Sequence, residues 1–294
     1  MYEGVIEMDL GYFTKDEEFP FFIQYGYHET PLDFHKHTDF LELVIVLSGS
    51  AMHHVNNDDA YFIKKGDVFV LGDGVSHAYT ETNQLKICNI MFRPELLGDM
   101  KDVRTLSGFH ALFVIEPYLT TQSEFQSHLT LTLENYEKVR NYTDIMLSEY
   151  QEDKPGRKTL LTAYFTILVT FLSRIYDLPE KKTNASILNI AKSVSFMENH
   201  YMDNISIDEI AAISNLSPRH FSRLFTASYE ITPGNYILSL RLQHACNLLK
   251  HSTQTVTEIA FASGFHDNNY FSRQFHKKYQ ISPRDYRKRY QVEI

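Results

Sequence analysis

Arg223 and Arg273 occupy the same place in two nearly identical words, HFSRLF (220–225) and YFSRQF (270–275). Beside them stand Arg219 and Ser222 in the first copy, and Asn268, Asn269 and Ser272 in the second. A guanidinium matches the two acceptors of guanine in the major groove of DNA, and an asparagine amide matches the acceptor and donor of adenine. These residue types at these places could therefore read base edges. The bland alternative is a solvated helix surface. It is disfavoured because the same basic position recurs in both copies.

The elements that must position these side chains extend around the two words. IAAISNLSPRHFSRLFTASYEITPGNY (210–236) and IAFASGFHDNNYFSRQFHKKYQISPRDY (259–286) pair at an offset of 50, which becomes 49 upstream. One residue is thus inserted near the Asn215 or Gly264 turn. A repeat at such a period is one structural unit used twice. Ser206 with Glu209, and Thr255 with Glu258, have the capping-box spacing that starts a helix. Ile207, Ile210 and Ala211 then share one face of the first helix, as do Val256, Ile259 and Ala260 in the second copy. After the turn, Ser217 and Asp267 are placed to cap a second helix. Pro218 suits a first helical position, where no amide hydrogen is needed. Phe221 and Phe225, like Phe271 and Phe275, are four apart and face the core, so the arginines and asparagines between them point outward. In helix-turn-helix units this second helix enters the major groove. A long helix over 232–250, with the stripe Tyr236, Ile237, Leu240, Ala245, Leu248 and Leu249, joins the units. At ~1.5 Å per residue it is roughly 28 Å long. It could hold two reading helices about one DNA turn, ~34 Å, apart.

Over about residues 187–290 the chain resembles the AraC/XylS family of bacterial transcription regulators. The likeness rests on the doubled helix-turn-helix, on IAFASGF (259–265), on YFSRQF and on SPRDYR (282–287). It implies promoter binding and, usually, activation by recruiting RNA polymerase. Double-stranded promoter DNA and RNA polymerase are thus the expected partners. The net charge of −9 looks wrong for such a role, but it is uneven. From residue 187 onward there are 12 Lys and Arg against 9 Asp and Glu, while the preceding residues hold 16 against 28. The chain is an acidic body with a mildly basic tail.

The front half carries a second constellation. FHKHTDFLELVIVLSG (34–49) places His35 and His37 on one face of a strand, because side chains alternate with a period of two. Glu42 follows, and GDVFVLGDGVSH (66–77) ends on His77. Turn signals at 48–49, 56–59, 65–67 and 72–74 separate short strands, the pattern of an all-β sandwich or barrel. His-x-His-x4-Glu followed by Gly-Asp-x9-His resembles the two motifs of the cupin barrel, with Gly72 where the second motif usually has proline. In metal-dependent cupins the residues corresponding to His35, His37, Glu42 and His77 hold one divalent ion. Three imidazoles and a carboxylate suit Fe, Mn, Ni or Zn. No cofactor is expected for certain; a divalent metal is the one candidate. Three uses compete: a metallocupin enzyme, a sensor that hydrogen-bonds a small ligand, or a relic whose groups satisfy one another. The attached DNA reader disfavours catalysis.

Within the family this half is most similar to the L-rhamnose regulators of the RhaR and RhaS type. HTDFLELVIV (37–46), Gly66-Asp67, His77 with Tyr79, and FRPEL (92–96) carry that likeness. It implies a sugar inducer such as L-rhamnose, bound by His35, His37, Glu42, His77 and Tyr79. His53 is a weaker candidate, as readily exposed as buried. Tyr25 and Tyr27 belong to a strand or arm that could close the barrel.

From about 129 to 178 the pattern turns helical, with Leu129, Leu133, Tyr136, Arg140, Thr143, Leu147 and Tyr150 recurring at three and four. A break at 153–156 precedes an apolar run, TLLTAYFTILVTFL (159–172), shorter than the roughly 20 residues of a membrane span. A buried helix is expected there, and no membrane association. In cupin-type members of the family such helices often form the dimer interface, which makes a homodimer the expectation. MYEGVIEMDLGYF (1–13) has neither a basic n-region nor an apolar h-region, so no secretory signal is expected. The only cysteines, Cys88 and Cys246, suit reduced thiols in a bacterial cytoplasm. The expected fold is α+β with two domains. A cupin-like barrel spans 1–125, a helical dimerisation segment 126–178 and a linker 179–186. An all-α DNA-binding domain spans 187–294, with helix-turn-helix units near 206–229 and 255–279. The expected function is a non-enzymatic activator of carbohydrate-use genes. The alternatives are a metal- or redox-responsive regulator of the same architecture and, more remotely, a metallocupin enzyme fused to a DNA reader.

Overall fold

A computed structural model describes residues 6–14, 16, 18–56, 59–98, 100–121, 129–152, 154–177 and 185–291. It divides into two compact units, Met1–Ala191 and Lys192–Ile294.

The first unit is built on one eight-stranded sheet. Its strands are β1 (Ile6–Asp9), β2 (Phe21–His28), β3 (Leu32–Thr38), β4 (Leu41–Val55), β5 (Asp59–Lys64), β6 (Asp67–Leu71), β7 (Ser76–Phe92) and β8 (Leu129–Thr130). The order is β1-β3-β7-β4-β6-β8, with β2 also on β7 and β5 also on β4. β4 and β7 are long enough to change partners along their length, which curves the sheet around a core. That core holds Val44, Val46, Ile63, Phe69, Leu71, Val75 and Ile87. The turn signals fall where the backbone turns left-handed, at Gly49, Asn56, Gly66 and Gly74. Gly49 is required twice over. Its φ is +71°, and a Cβ there would lie 2.2 Å from the carbonyl oxygens of Asn83 and Gln84.

Helices cover the sheet. α1 (Leu10–Phe13) follows β1, and α2 (Lys101–Arg104), α3 (Ser107–His110) and α4 (Glu116–Thr121) follow β7, with a π-helical turn at Ala111–Ile115. The residues expected to be barrel up to 125 are therefore helical from 101 to 121. Val103, Phe109, Leu112 and Phe113 are buried there, and no strand partner is available to them. α5 (Leu133–Gln151) starts four residues later than the periodicity suggested. Leu129 is instead in β8, because the edge of β6 is free to pair: Val68 faces Leu129 and Asp67 faces Thr130. The buried stripe of α5 is Tyr136, Val139, Thr143 and Met146. Leu133 and Arg140, part of the recurring pattern, are exposed. α6 (Arg157–Tyr176) is a full 20 residues with mean hydropathy 1.4, enough by length and composition to cross a membrane, and 44% of that stretch is buried within the fold. Its Phe165 ring packs against Phe21 at 5.5 Å and Phe92 at 4.8 Å, as a core helix does.

α7 (Ala185–His200) runs across the boundary between the units and begins two residues before the expected domain start. Residues 179–184 of the expected linker lie outside the described residues. α8 (Ile207–Ile213) and α11 (Val256–Ala262) each open on a complete capping box, Ser206 with Glu209 and Thr255 with Glu258. α9 (Pro218–Tyr229) and α12 (Asn268–Tyr279) are capped by Ser217 and Asp267. α10 (Pro233–His251) joins the repeats, and α13 (Pro283–Tyr290) ends the fold. Each repeat has its own core. Ile210, Ala211, Phe221 and Phe225 pack with Tyr236 and Ile237 in the first. Ile259, Ala260, Phe271 and Phe275 pack with Leu242, Ala245 and Leu249 in the second. α10 thus serves both cores with successive stretches of one helix.

Candidate nucleic-acid interface and effector site

On the second unit, burying the phenylalanine pairs turns the residues between them outward. Arg219 and Arg223 on α9, and Asn269 and Arg273 on α12, are exposed, while Ser222 and Ser272 are half-buried between them. Asn268 differs from expectation. It is the first residue of α12, half-buried, and its side-chain oxygen is fully buried without a hydrogen-bond partner. Its place corresponds to Pro218 in the first copy, so it borders the reading face rather than forming it. The turns before the reading helices use left-handed residues, Asn215 at φ 55° and Gly264 at φ 82°.

In the first unit, β3 and β7 run side by side with His35 directly opposite His77. His37 is two residues along β3, and Glu42 opens β4. All four converge inside the sheet. His35 is 9% exposed, and His37, Glu42 and His77 are each 1% exposed. His35, His37 and His77 have ring nitrogens within 4.8 Å of one another. His77 Nε2 lies 3.4 Å from His37 Nε2. Glu42 Oε2 lies 3.5 Å from His37 Nδ1 and 3.5 Å from His77 Nε2. Tyr79 is 1% exposed, and its hydroxyl is buried with no hydrogen-bond partner. The five residues expected at an effector site are thus brought together.

His53 joins them, and the sequence reading undervalued it. It is fully buried on β4, opposite Tyr79, with its Nε2 3.3 Å from His77 Nδ1 and its ring stacked on Phe69 at 4.7 Å. The alternation of Ala51, His53 and Val55 on one strand face would have pointed inward, since both neighbours are apolar. Tyr25 and Tyr27 stay outside the cluster. The Tyr25 hydroxyl donates to Asp144 at 2.6 Å on α5, and Tyr27 is exposed.

Burial sets the protonation of the cluster. It pushes the Glu42 carboxyl up to about 8. It pulls the His37 imidazole down to about 3, with His35 adding to the effect. It also holds His77 well below its ordinary value, helped by His35, His37 and His53. Near neutral pH the Glu42–His37 and Glu42–His77 contacts are therefore between neutral groups and are not ion pairs. Neutral imidazoles keep a lone pair free for a ligand. The ring nitrogens of His35, His37 and His77, all within 4.8 Å of one another, could also hold a metal ion, although Glu42 contacts the other ring nitrogen of His37 from the one that faces His77.

Residues 210–289 match the family described as a helix-turn-helix domain, and residues 21–150 match the AraC-like ligand binding domain. The chain is 32% identical over 254 residues to the HTH-type transcriptional activator RhaS of Shigella boydii serotype 18, covering 85% of this chain and 86% of that one. It is 31% identical over 255 residues to RhaS of Klebsiella pneumoniae, with the same coverage. Among solved structures, the C-terminal domain of the response regulator yesN from Fusobacterium nucleatum is 32% identical, covering 32% of this chain and 93% of that one, with a TM-score of 0.31. With one exposed reading helix in each of two repeats, and with both halves matched, the chain belongs to the AraC family of DNA-binding transcriptional activators.

Proposed function

We propose that this activator is controlled by a small polyhydroxylated effector, a sugar such as L-rhamnose, held by His35, His37, Glu42, His77 and Tyr79, with His53 supporting His77. The observation that supports the reading is the group of polar atoms buried inside the sheet without hydrogen-bond partners: His37 Nδ1, Glu42 Oε2 and the Tyr79 hydroxyl. Each such atom costs about 1–3 kcal/mol when left unpaired. A neutral carboxyl, a phenol and neutral imidazoles supply both donors and acceptors, which is what sugar hydroxyls require. The effector acts on promoter binding only through its differential affinity for two arrangements of the protein. On DNA, Arg219, Ser222, Arg223, Asn269, Ser272 and Arg273 are assigned to the reading face, with Asn268 at its border. RNA polymerase is the partner recruited, and the site of action is the bacterial cytoplasm. No catalytic role is assigned.

A homodimer fits the outer face of α6. Leu160, Tyr164, Ile167 and Phe171 recur there at four, three and four, with Leu160 46% and Ile167 44% exposed.

A second reading rests on the ring nitrogens of His35, His37 and His77, which lie within 4.8 Å of one another. His35, His37, Glu42 and His77 would then hold one divalent ion. Such an ion would cross-link β3, β4 and β7 and supply Lewis acidity toward a bound ligand. Thermal shift of the whole protein against a monosaccharide panel, with and without chelator, separates the two. A ligand at 100 times its dissociation constant adds about 2.7 kcal/mol. A rise with one sugar that survives chelation supports the sugar site. A fall on chelation with no sugar response replaces it with the metal site.

A further inference from the structure

The two repeats are alike in fold but unlike in charge, and part of the difference lies along α12 and the start of α13. At the offset of 50, Thr226, Ala227, Glu230 and Gly234 of the first copy correspond to His276, Lys277, Gln280 and Arg284 of the second. In the second copy these residues line a cleft of about 810 Å³ between α12 and α13, together with Ser272 and Arg273. His276, Lys277, Gln280 and Arg284 are exposed. None of Arg273, Lys277 and Arg284 forms an ion pair with a described residue. Two other basic groups nearby are engaged within the fold. Lys278 donates to the Ser239 hydroxyl at 3.0 Å, and Arg287 donates to the Gln254 carbonyl at 2.5 Å. The acidic neighbours are occupied too, with Asp267 capping α12 and Asp285 accepting from the Ser282 hydroxyl at 2.5 Å.

We propose that this cleft is a clamp for the DNA phosphate backbone, formed by Lys277, Arg284, His276 and Gln280 beside Arg273. The two repeats thereby divide their labour. The first places Arg219 and Arg223 on its reading face, and the second adds a sequence-independent grip beside Arg273. The assignment rests on the DNA-binding role of the second unit and extends it. Backbone DNA is the occupant because Ser272 and Arg273 belong at once to the cleft and to the outward face of α12. A strand lying along that helix would bring its phosphates to Lys277 and Arg284. Neutralising phosphates releases counterions, so such contacts are read in the salt dependence of binding.

The test compares the full chain with a Lys277→Ala/Arg284→Ala variant. One probe is a labelled duplex enriched by the wild type from a random pool, and the other is a scrambled duplex of the same composition. Two lost phosphate contacts should flatten the slope of log affinity against log salt by about 2. Counterion release of about 0.9 per contact corresponds to a roughly 30-fold weaker affinity near 0.15 M salt, equal on both duplexes. The converse graft, Ala227→Lys/Gly234→Arg, should steepen the slope by a similar amount. It is sterically free, since a Cβ on Gly234 meets nothing within 4 Å. An unchanged slope overturns the clamp, as does a loss confined to the enriched duplex. Unchanged DNA binding with lost promoter activation assigns the cleft to an acidic protein surface instead. Failure of the wild type to prefer the enriched duplex would strike at sequence-specific binding itself and not at the clamp.

Discussion

Replacing Gly264 with alanine probes the turn of the second helix-turn-helix without touching its reading face. Gly264 sits at φ +82°, and a Cβ built there lies 2.7 Å from the Met202 carbonyl oxygen and 2.8 Å from the Met202 Cα. The left-handed backbone alone costs an alanine about 1–2 kcal/mol. Both contacted atoms are backbone, so relief requires moving the chain at Met202, at an overpacking cost of about 1–3 kcal/mol. The expected total is about 2–5 kcal/mol. Asn215 holds the equivalent turn of the first repeat at φ 55° with a side chain present. Asn215→Gly should therefore change stability by only a few tenths of a kcal/mol. Gly264→Asn should fail to rescue, because asparagine tolerates the φ but keeps the clash. Chemical denaturation followed by far-ultraviolet circular dichroism gives the three values. Gly264→Ala as stable as wild type, or Gly264→Asn fully stable, would refute the reasoning from close approach.

Arg223→Ala and Arg273→Ala should each weaken binding to an enriched duplex by about 1–3 kcal/mol and less on a scrambled one, as measured by fluorescence anisotropy. Equal losses on both would make them phosphate contacts. Glu42→Gln keeps the volume of a carboxyl that is already neutral when buried, so thermal stability should hold while the thermal shift with sugar, or the response to chelator, diminishes. The buried His110 imidazole, 2.6 Å from the Arg104 carbonyl oxygen, is pushed down to about 3, chiefly by burial. Its folded value lies below its unfolded value, so its contribution is complete above about 6.5 and is lost as pH falls toward 3, at about 1.4 kcal/mol per unit. Denaturation midpoints of His110→Gln should fall less steeply than wild type between neutral pH and pH about 5. Ile167→Asp, on the exposed stripe of α6, should leave the fold intact and shift sedimentation from dimer to monomer; an unchanged sedimentation coefficient would move the interface elsewhere.

The repeated unit was legible because everything that builds it is local. A capping box, a turn residue and two phenylalanines four apart lie within about thirty residues, and helix periodicity then decides which side faces out. The β3 histidines were legible for the same reason, since alternation along one strand needs no partner. Glu42, His77 and Tyr79 were named through the family likeness, and His53 became clear only from the sheet. Their meeting depends on the register of β3, β4 and β7, which couples residues more than twenty positions apart. The same long-range pairing drew Leu129 into β8 and away from a helix, and it turned α5 so that Val139 and Met146 are buried in place of Leu133 and Arg140.

By itself the sequence determined the doubled helix-turn-helix, its outward arginines and the inward pair at His35 and His37, because hydrogen bonds and side-chain directions within a helix or strand follow from neighbouring residues. Only the tertiary structure decided which polar groups share the interior of the sheet and which basic groups remain free. His53 was drawn in, and Lys278 and Arg287 were tied to Ser239 and Gln254. Lys277 on α12 and Arg284 on α13, of the same residue types and within a few positions of them, were left unpaired. That choice belongs to packing, where a side chain's partner is set by whichever distant backbone or hydroxyl the fold brings within about 3 Å.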